Sequence, residues 1–173
     1  MQNVERWDSM SKRVDKTNYY LDIAETVAER STCLRKHYGC IIVKNDEIIS
    51  TGYSGAPRGR KNCIDLGECT KKKIYPELRH GGYDACRSVH AEQNAIISAA
   101  RKDMLGSTMY LVGKRNDDAI YEEGAMSCQT CRKLIINAGI ENVIVRTSKN
   151  EYIRVDVKRW IENDELLEGK ITY

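Results

Sequence analysis

Apolar residues recur along this chain in two alternating rhythms, and their order sets the expected architecture. Leu21, Ala24, Val27 and Ala28 fall on one face of a helix, with Thr17 or Asn18 as its expected N-cap and an end near Arg30. Two short apolar runs follow, Cys40-Ile41-Ile42-Val43 and Ile48-Ile49, joined by Asn45-Asp46; this reads as a β-hairpin. The second run leads into the glycine-rich loop from Gly52 to Gly59. From His90 to Arg101 the residues Ala91, Ala95, Ile96, Ile97, Ala99 and Ala100 nearly encircle a helix, which predicts a central, buried one. Met109-Tyr110-Leu111-Val112 reads as a strand. A helix from Cys128 carries Leu134, Ile135, Ile136 and Ala138, with Gly139 as its C-cap, and Val143-Ile144-Val145 is a further strand. The order α-β-β-α-β-α-β predicts one three-layer α/β/α domain with helices on both sheet faces. Its core is expected over about residues 17–146. The tail 147–173, carrying Trp160, Ile161, Leu166 and Leu167, is expected to pack on that core and add a last helix, so that 1–173 form a single domain.

Residues Arg60 to Ser88 break the rhythm. They are polar, show no clear period and hold Cys63, Cys69 and Cys86. So long a structureless stretch inside a compact domain needs something to tie it down, and metal is the obvious tie. The rest of the composition is ordinary. At 173 residues, with 41% hydrophobic and 31% charged positions, the chain fits one soluble domain with a sizeable core. A net charge of +3 is too mild to argue for nucleic acid, and the longest basic run, Lys71-Lys72-Lys73, is expected to be a solvated loop. No stretch approaches the roughly 18 apolar residues that span a bilayer. The polar start gives no sign of a signal peptide, so the expected compartment is the cytosol. In a reducing compartment seven cysteines point to metal binding or chemistry rather than disulfides, and an odd number cannot pair completely.

Two motifs carry chemistry. His90-Ala91-Glu92 opens one apolar helix and Cys128-Gln129-Thr130-Cys131 opens another. Together they supply three zinc ligands and one free carboxylate. A zinc with three protein ligands keeps a position open for water, as catalytic sites do. His-x-Glu followed by Cys-x-x-Cys is the pattern of zinc-dependent base deaminases. Zinc lowers the pKa of bound water, and the proton removed must reach the ring nitrogen and then the departing amino group. Glu92, on the same helical turn as His90, is the candidate for that transfer. The positive end of each helix favours thiolate at Cys128 and Cys131. The competing readings are a buried core histidine beside inert cysteines, or a redox pair Cys128/Cys131, which leaves His90 without a role.

His90-Ala91-Glu92-Gln93-Asn94-Ala95-Ile96, the Gly52–Gly59 loop and Cys128-x-x-Cys131 resemble the deoxycytidylate (dCMP) deaminase family, over about Ser31 to Val145. The resemblance implies the cytidine-deaminase-like fold, a five-stranded mixed sheet sandwiched by helices, and conversion of dCMP to dUMP with release of ammonia. It implies a homo-oligomer, possible as a hexamer, with dCTP and dTTP as effectors. Three departures stand out. Ser127 replaces the proline that usually precedes the first cysteine, and serine is expected to cap the helix instead. Ser54 replaces an asparagine that contacts the sugar. A tyrosine that some relatives place over the base has no clear counterpart, although Lys149 and Tyr152 lie nearby.

The remaining cysteines divide. Cys40, inside a predicted strand, reads as a small hydrophobe. Cys33, Cys63, Cys69 and Cys86 lie in predicted loops, where a closed four-thiolate zinc site is able to hold chain that burial cannot. Some members of the family carry such a second, structural zinc. Cys33 and Cys63 match its ligand positions, with Cys69 and Cys86 inferred as the other two and His80 as a substitute. For substrate binding the candidates are Ser54, Gly55 and Arg58, with Arg58, Arg60, Lys61 and the loop amides facing a phosphate. Arg101 matches a position concerned with subunit contact or regulation. The alternatives are another deaminase of the same fold, acting on tRNA adenosine, guanine or a riboflavin precursor, and a non-catalytic zinc-stabilised competence-type module.

Overall fold

The computed structural model describes residues 4–6, 13–78, 82–115, 121, 126–167 and 169. Helix α1 (Lys16–Ala28) is capped two or three residues before the expected position at Thr17 or Asn18. Asp15 is the N-cap, and its carboxylate accepts from the backbone amide of Asn18 at 3.0 Å and from its side-chain amide at 2.8 Å. Strands β2 (Lys36–Lys44) and β3 (Glu47–Tyr53) form the expected hairpin. Asn45 (φ 50°) and Asp46 (φ 69°) both adopt the left-handed conformation that matches a two-residue turn to strand twist.

The sheet continues through β4 (Thr108–Arg115), β5 (Asn142–Ser148) and β6 (Glu151–Asp156), with a three-residue β1 (Val4–Arg6) beyond β6. Its order is β1-β6-β5-β4-β2-β3. β4 and β5 pair in parallel and every other pair is antiparallel. The expected five-stranded mixed sheet is therefore present, extended at one edge by β1. Its central strands bury both faces. Cys40, Ile42, Met109, Leu111, Val143 and Val145 meet the helices α4 (Ala91–Ile97) and α6 (Gln129–Ala138) on one side. Ile41, Val43, Tyr110, Val112 and Ile144 meet α1 on the other.

Two glycines set how close those helices come. A Cβ on Gly39 of β2 would lie 2.1 Å from the Ala24 carbonyl oxygen of α1. A Cβ on Gly52 of β3 would lie 2.3 Å from the Ala91 oxygen and 2.3 Å from the Ala95 nitrogen of α4. Both helices rest on bare backbone at these points. α4 is shorter and less enclosed than its composition predicts. It ends at Ile97, which is 74% exposed, and only Ala91, Glu92 and Ala95 are buried. A helix lying flat on a sheet buries one stripe, so the outer apolar residues stay in solvent. A separate short helix, α5 (Arg101–Met104), follows.

Between β3 and α4 the chain forms two short helices, α2 (Cys63–Leu66) and α3 (Thr70–Ile74), and a 3-10 turn at Tyr83–Ala85. Beyond β5 the tail packs differently from expectation. Val155 and Val157, at and just after β6, enter the core, and of the four apolar residues singled out only Trp160, in α7 (Lys158–Glu162), packs against it. Ile161, Leu166 and Leu167 are exposed. Among the described residues no helix is long and apolar enough to cross a membrane.

Candidate active site

His90 and Cys128 are the N-cap residues of α4 and α6, each with extended backbone just before the first turn. That geometry places their side chains at the helix mouths, and Cys131 lies one turn into α6. The His90 amide donates to Gln93 Oε1 at 3.0 Å, and Asn94 Nδ2 donates to the Tyr53 carbonyl at 2.8 Å, tying the start of α4 to the end of β3. Ser127 does not cap α6. Its hydroxyl is buried near the Glu92 carboxyl and accepts from no α6 amide, while its carbonyl accepts from Arg132 Nε at 3.0 Å. Helix initiation falls instead to Cys128, whose carbonyl accepts from the Arg132 amide at 2.9 Å.

The two helix mouths converge. His90 Nδ1 lies 3.5 Å from Cys128 Sγ and 3.4 Å from Cys131 Sγ. Among the described residues, these three are the sole group of metal-ligating side chains whose donor atoms all lie within 4.8 Å of one another. Tetrahedral zinc with ordinary Zn–N and Zn–S bonds separates such atoms by about 3.6 Å, so the donor set fits zinc. The thiols are electrostatically paired. A hydrogen bond from Cys131, opposed by burial and aided by His90, pulls Cys128 down to about 4. Cys131, which donates that bond and is buried, is pushed up. Cys128 is thus the more acidic of the two thiols.

Glu92 is 3% exposed, and burial raises its carboxyl above the usual range against the pull of His90. It lines a cavity together with His90 and Cys128. A buried carboxylate beside three metal donors, outside the donor set, is placed for proton transfer. Tyr83 forms part of the wall, edge-on to the His90 ring at 4.9 Å between centroids. Neither Lys149 nor Tyr152 reaches this cavity. Lys149 is exposed in the β5–β6 turn, and Tyr152 packs on the α1 face of the sheet.

Ser54 lines the cavity and is 6% exposed. Its hydroxyl lies 2.8 Å from Ser31 Oγ and accepts from the Tyr38 amide at 3.1 Å, so the serine serves the local backbone. Gly55 pairs with Val89 and leaves no room beside Thr32, with a Cβ there 2.8 Å from Thr32 Oγ1. Gly55 and Arg58 are not among the lining residues, and Arg58, Arg60 and Lys61 are exposed. Cations reach the cavity from elsewhere. Arg35, Lys36 and Lys71 line it, and Lys71 is only 6% exposed. The expectation that Lys71-Lys72-Lys73 is a solvated run is corrected at its first member: Lys72 and Lys73 are exposed, but Lys71 turns inward from α3. Its signal in the sequence was its place two residues after Cys69.

The seven cysteines are free of disulfides. Cys40 is fully buried in β2. Cys33, Cys63, Cys69 and Cys86 gather on one flank. The Ile64 amide donates to the Thr32 carbonyl at 3.3 Å, joining the neighbours of Cys63 and Cys33. Thr70 Oγ1 donates to the Ala85 carbonyl at 3.0 Å, joining the neighbours of Cys69 and Cys86. Burial raises Cys63, and the other three thiols raise it further. The four sulfurs do not form a ligand group as tight as that at His90. His80 lies outside the described residues.

An imidazole and two sulfurs at converging helix starts, with a buried free carboxylate on a three-layer α/β/α scaffold, form a candidate metal centre with a proton-transfer group beside it. Residues 14–147 match the family model described as the cytidine and deoxycytidylate deaminase zinc-binding region, and the chain belongs to that family. It is 33% identical over 133 residues to deoxycytidylate deaminase of Mycobacterium phage D29, covering 76% of this chain and 94% of that one. It is 32% identical over 147 residues to deoxycytidylate deaminase of Schizosaccharomyces pombe, covering 83% of this chain but only 38% of that one. Among solved structures it resembles dCMP deaminase from the cyanophage S-TIM5 in complex with dCMP and dUMP. That match has a TM-score of 0.52 and 27% identity, and covers 78% of this chain and 84% of that one.

Proposed function

We propose that this chain, acting as a single deaminase domain, is a zinc-dependent hydrolase that converts dCMP and water to dUMP and ammonia. The observation that carries this reading is the approach of His90 to two sulfurs at 3.4 and 3.5 Å with buried Glu92 on the same cavity. The phage relatives, which are matched over most of their length, support the substrate.

His90, Cys128 and Cys131 hold the metal. Zinc, when bound, supplies a Lewis acid that lowers the pKa of water towards about 7. Glu92 takes a proton from the attacking water and delivers it to the ring nitrogen, then takes the proton of the hydroxyl added at the ring carbon and passes it to the amine as the carbonyl forms and the C–N bond breaks. A carboxyl raised by burial holds a proton between these transfers better than a solvated one. Tyr83 and Met126 wall the cavity against solvent.

A second, structural zinc at Cys33, Cys63, Cys69 and Cys86 belongs to the same reading, supported by the two hydrogen bonds that pair their neighbours. So do a homo-oligomer, regulation by dCTP and dTTP, and a reducing cytosolic setting for seven free thiols. The test is ammonia release from dCMP, deoxycytidine and adenosine-containing RNA. dCMP is expected to react fastest, and Glu92→Gln to abolish turnover while zinc stays bound. Turnover by RNA alone, or full activity in Glu92→Gln, overturns the reading. Metal analysis is expected to give two zinc ions per chain.

A further inference from the structure

Lys71 is a buried cation on the wall of the active-site cavity. It is 6% exposed, yet among the described residues no carboxylate makes an ion pair with it. Buried charges are ordinarily paired, because removing one from water is costly. Arg35 and Lys36 add like charge near it, and the sulfurs of Cys69 and Cys86 are also close. All three cations line the active-site cavity.

The position of Lys71 relative to the metal ligands is also informative. Its ammonium sits over the Tyr83 ring, 5.0 Å from the centroid, and that ring meets His90 edge-on at 4.9 Å. One tyrosine ring and its two contacts thus separate the ammonium from the metal-binding imidazole. Both groups therefore border the same cavity within a nucleotide's length of each other. A nucleotide bound with its base at the metal site brings its 5′-phosphate towards this ammonium and supplies the oxygen anion that no described carboxylate provides.

We infer that Lys71, supported by Arg35 and Lys36, is the residue that selects a 5′-phosphorylated substrate over the free nucleoside. The inference rests on the deaminase reading above and specifies how that site reads its substrate. Arg58, Arg60 and Lys61, exposed on the glycine-rich loop and absent from the cavity wall, take no part in it. An ammonium that binds a phosphate equally in ground and transition states changes KM rather than kcat.

The test compares the zinc-loaded wild type with Lys71→Met and Lys71→Arg, using dCMP and deoxycytidine. Lys71→Met is expected to raise the KM for dCMP by about 30–100-fold with kcat within about threefold, as loss of a charge-assisted phosphate contact does. Its deoxycytidine kinetics and zinc content are expected to stay at wild-type values. Lys71→Arg keeps the charge and is expected to recover at least a tenfold preference for dCMP over Lys71→Met. Loss of zinc, equal loss on both substrates, or a protein too unstable to assay would show that Lys71 serves the thiol cluster, and overturns the inference. An unchanged KM for dCMP in Lys71→Met does the same. If the wild type releases ammonia from neither substrate, it is the deaminase reading that fails instead.

Discussion

Gly52→Ala and Gly39→Ala form a matched pair that separates fold from chemistry. Each adds one methyl group against helix backbone, 2.3 Å from Ala91 and Ala95 in the first case and 2.1 Å from Ala24 in the second. Ordinary carbon contacts begin near 3.4 Å, so either helix must retreat by about 1 Å in an interior packed to crystal-like density. Overpacking of this kind costs about 1–3 kcal/mol. For a chain of this size that lowers the melting temperature by roughly 3–10 °C. The consequences for turnover differ. α4 carries His90 and Glu92, and a misplacement of about 1 Å costs on the order of 100-fold in rate. α1 carries no site residue, so Gly39→Ala is expected to melt earlier yet keep kcat near that of the wild type once folded. The assay is a thermal melt followed by dCMP turnover well below both midpoints. Equal loss of kcat in the two variants, or none in Gly52→Ala, would refute the view that bare backbone at Gly52 sets the height of α4 over the sheet.

Glu92→Gln is expected to lower kcat by about 10²–10⁴-fold, the usual worth of a positioned proton-transfer group, with zinc content unchanged by elemental analysis. Cys131→Ala is expected to remove one zinc per chain and all measurable turnover, whereas Cys63→Ala is expected to remove the other zinc; retention of full metal by either variant counts against the assigned ligands. Acid stability reports on Arg146, which is 1% exposed and donates from Nη1 to Asp22 and Glu25 at 2.7 Å. Burial raises Glu25, but hydrogen bonds from Lys114, Tyr121 and Arg146 outweigh it and hold the carboxyl below its usual range. A depressed folded pKa means stability that is present above the unfolded value and lost as pH falls through the folded one. Glu25→Gln is therefore expected to melt below the wild type near neutrality, with the difference shrinking as pH falls below about 5. A gap that widens on acidification contradicts the ion-pair account.

The catalytic constellation was legible because its information is local. His90, Glu92, Cys128 and Cys131 each sit at a helix start, and spacing within one turn already tells which side chains share a mouth. The hairpin was legible for the same reason, since Asn45-Asp46 encodes its own turn. What the sequence hid depends on partners far along the chain. Lys71 looks like its exposed neighbours Lys72 and Lys73, and only the packing of α3 turns it inward. Gly52 and Gly39 show their purpose only when a helix lies across them. β6 escaped the apolar pattern because Tyr152 enters one core while Ile153 and Val155 meet the other, so its apolar residues are not confined to one face. α4 was read as wholly buried because its apolar residues surround it, yet burial is decided by the flat sheet beneath.

Among the described residues between 60 and 88, only Cys63 and Lys71 are buried. Scarcely any apolar surface glues this flap to the sheet, so its attachment falls to sulfur and a handful of hydrogen bonds. Segments bound so thinly open on their own, long before the whole molecule melts. Deuterium uptake and protease nicking should therefore begin here. The catalyst would then lose its grip on substrate while its helices and sheet still stand.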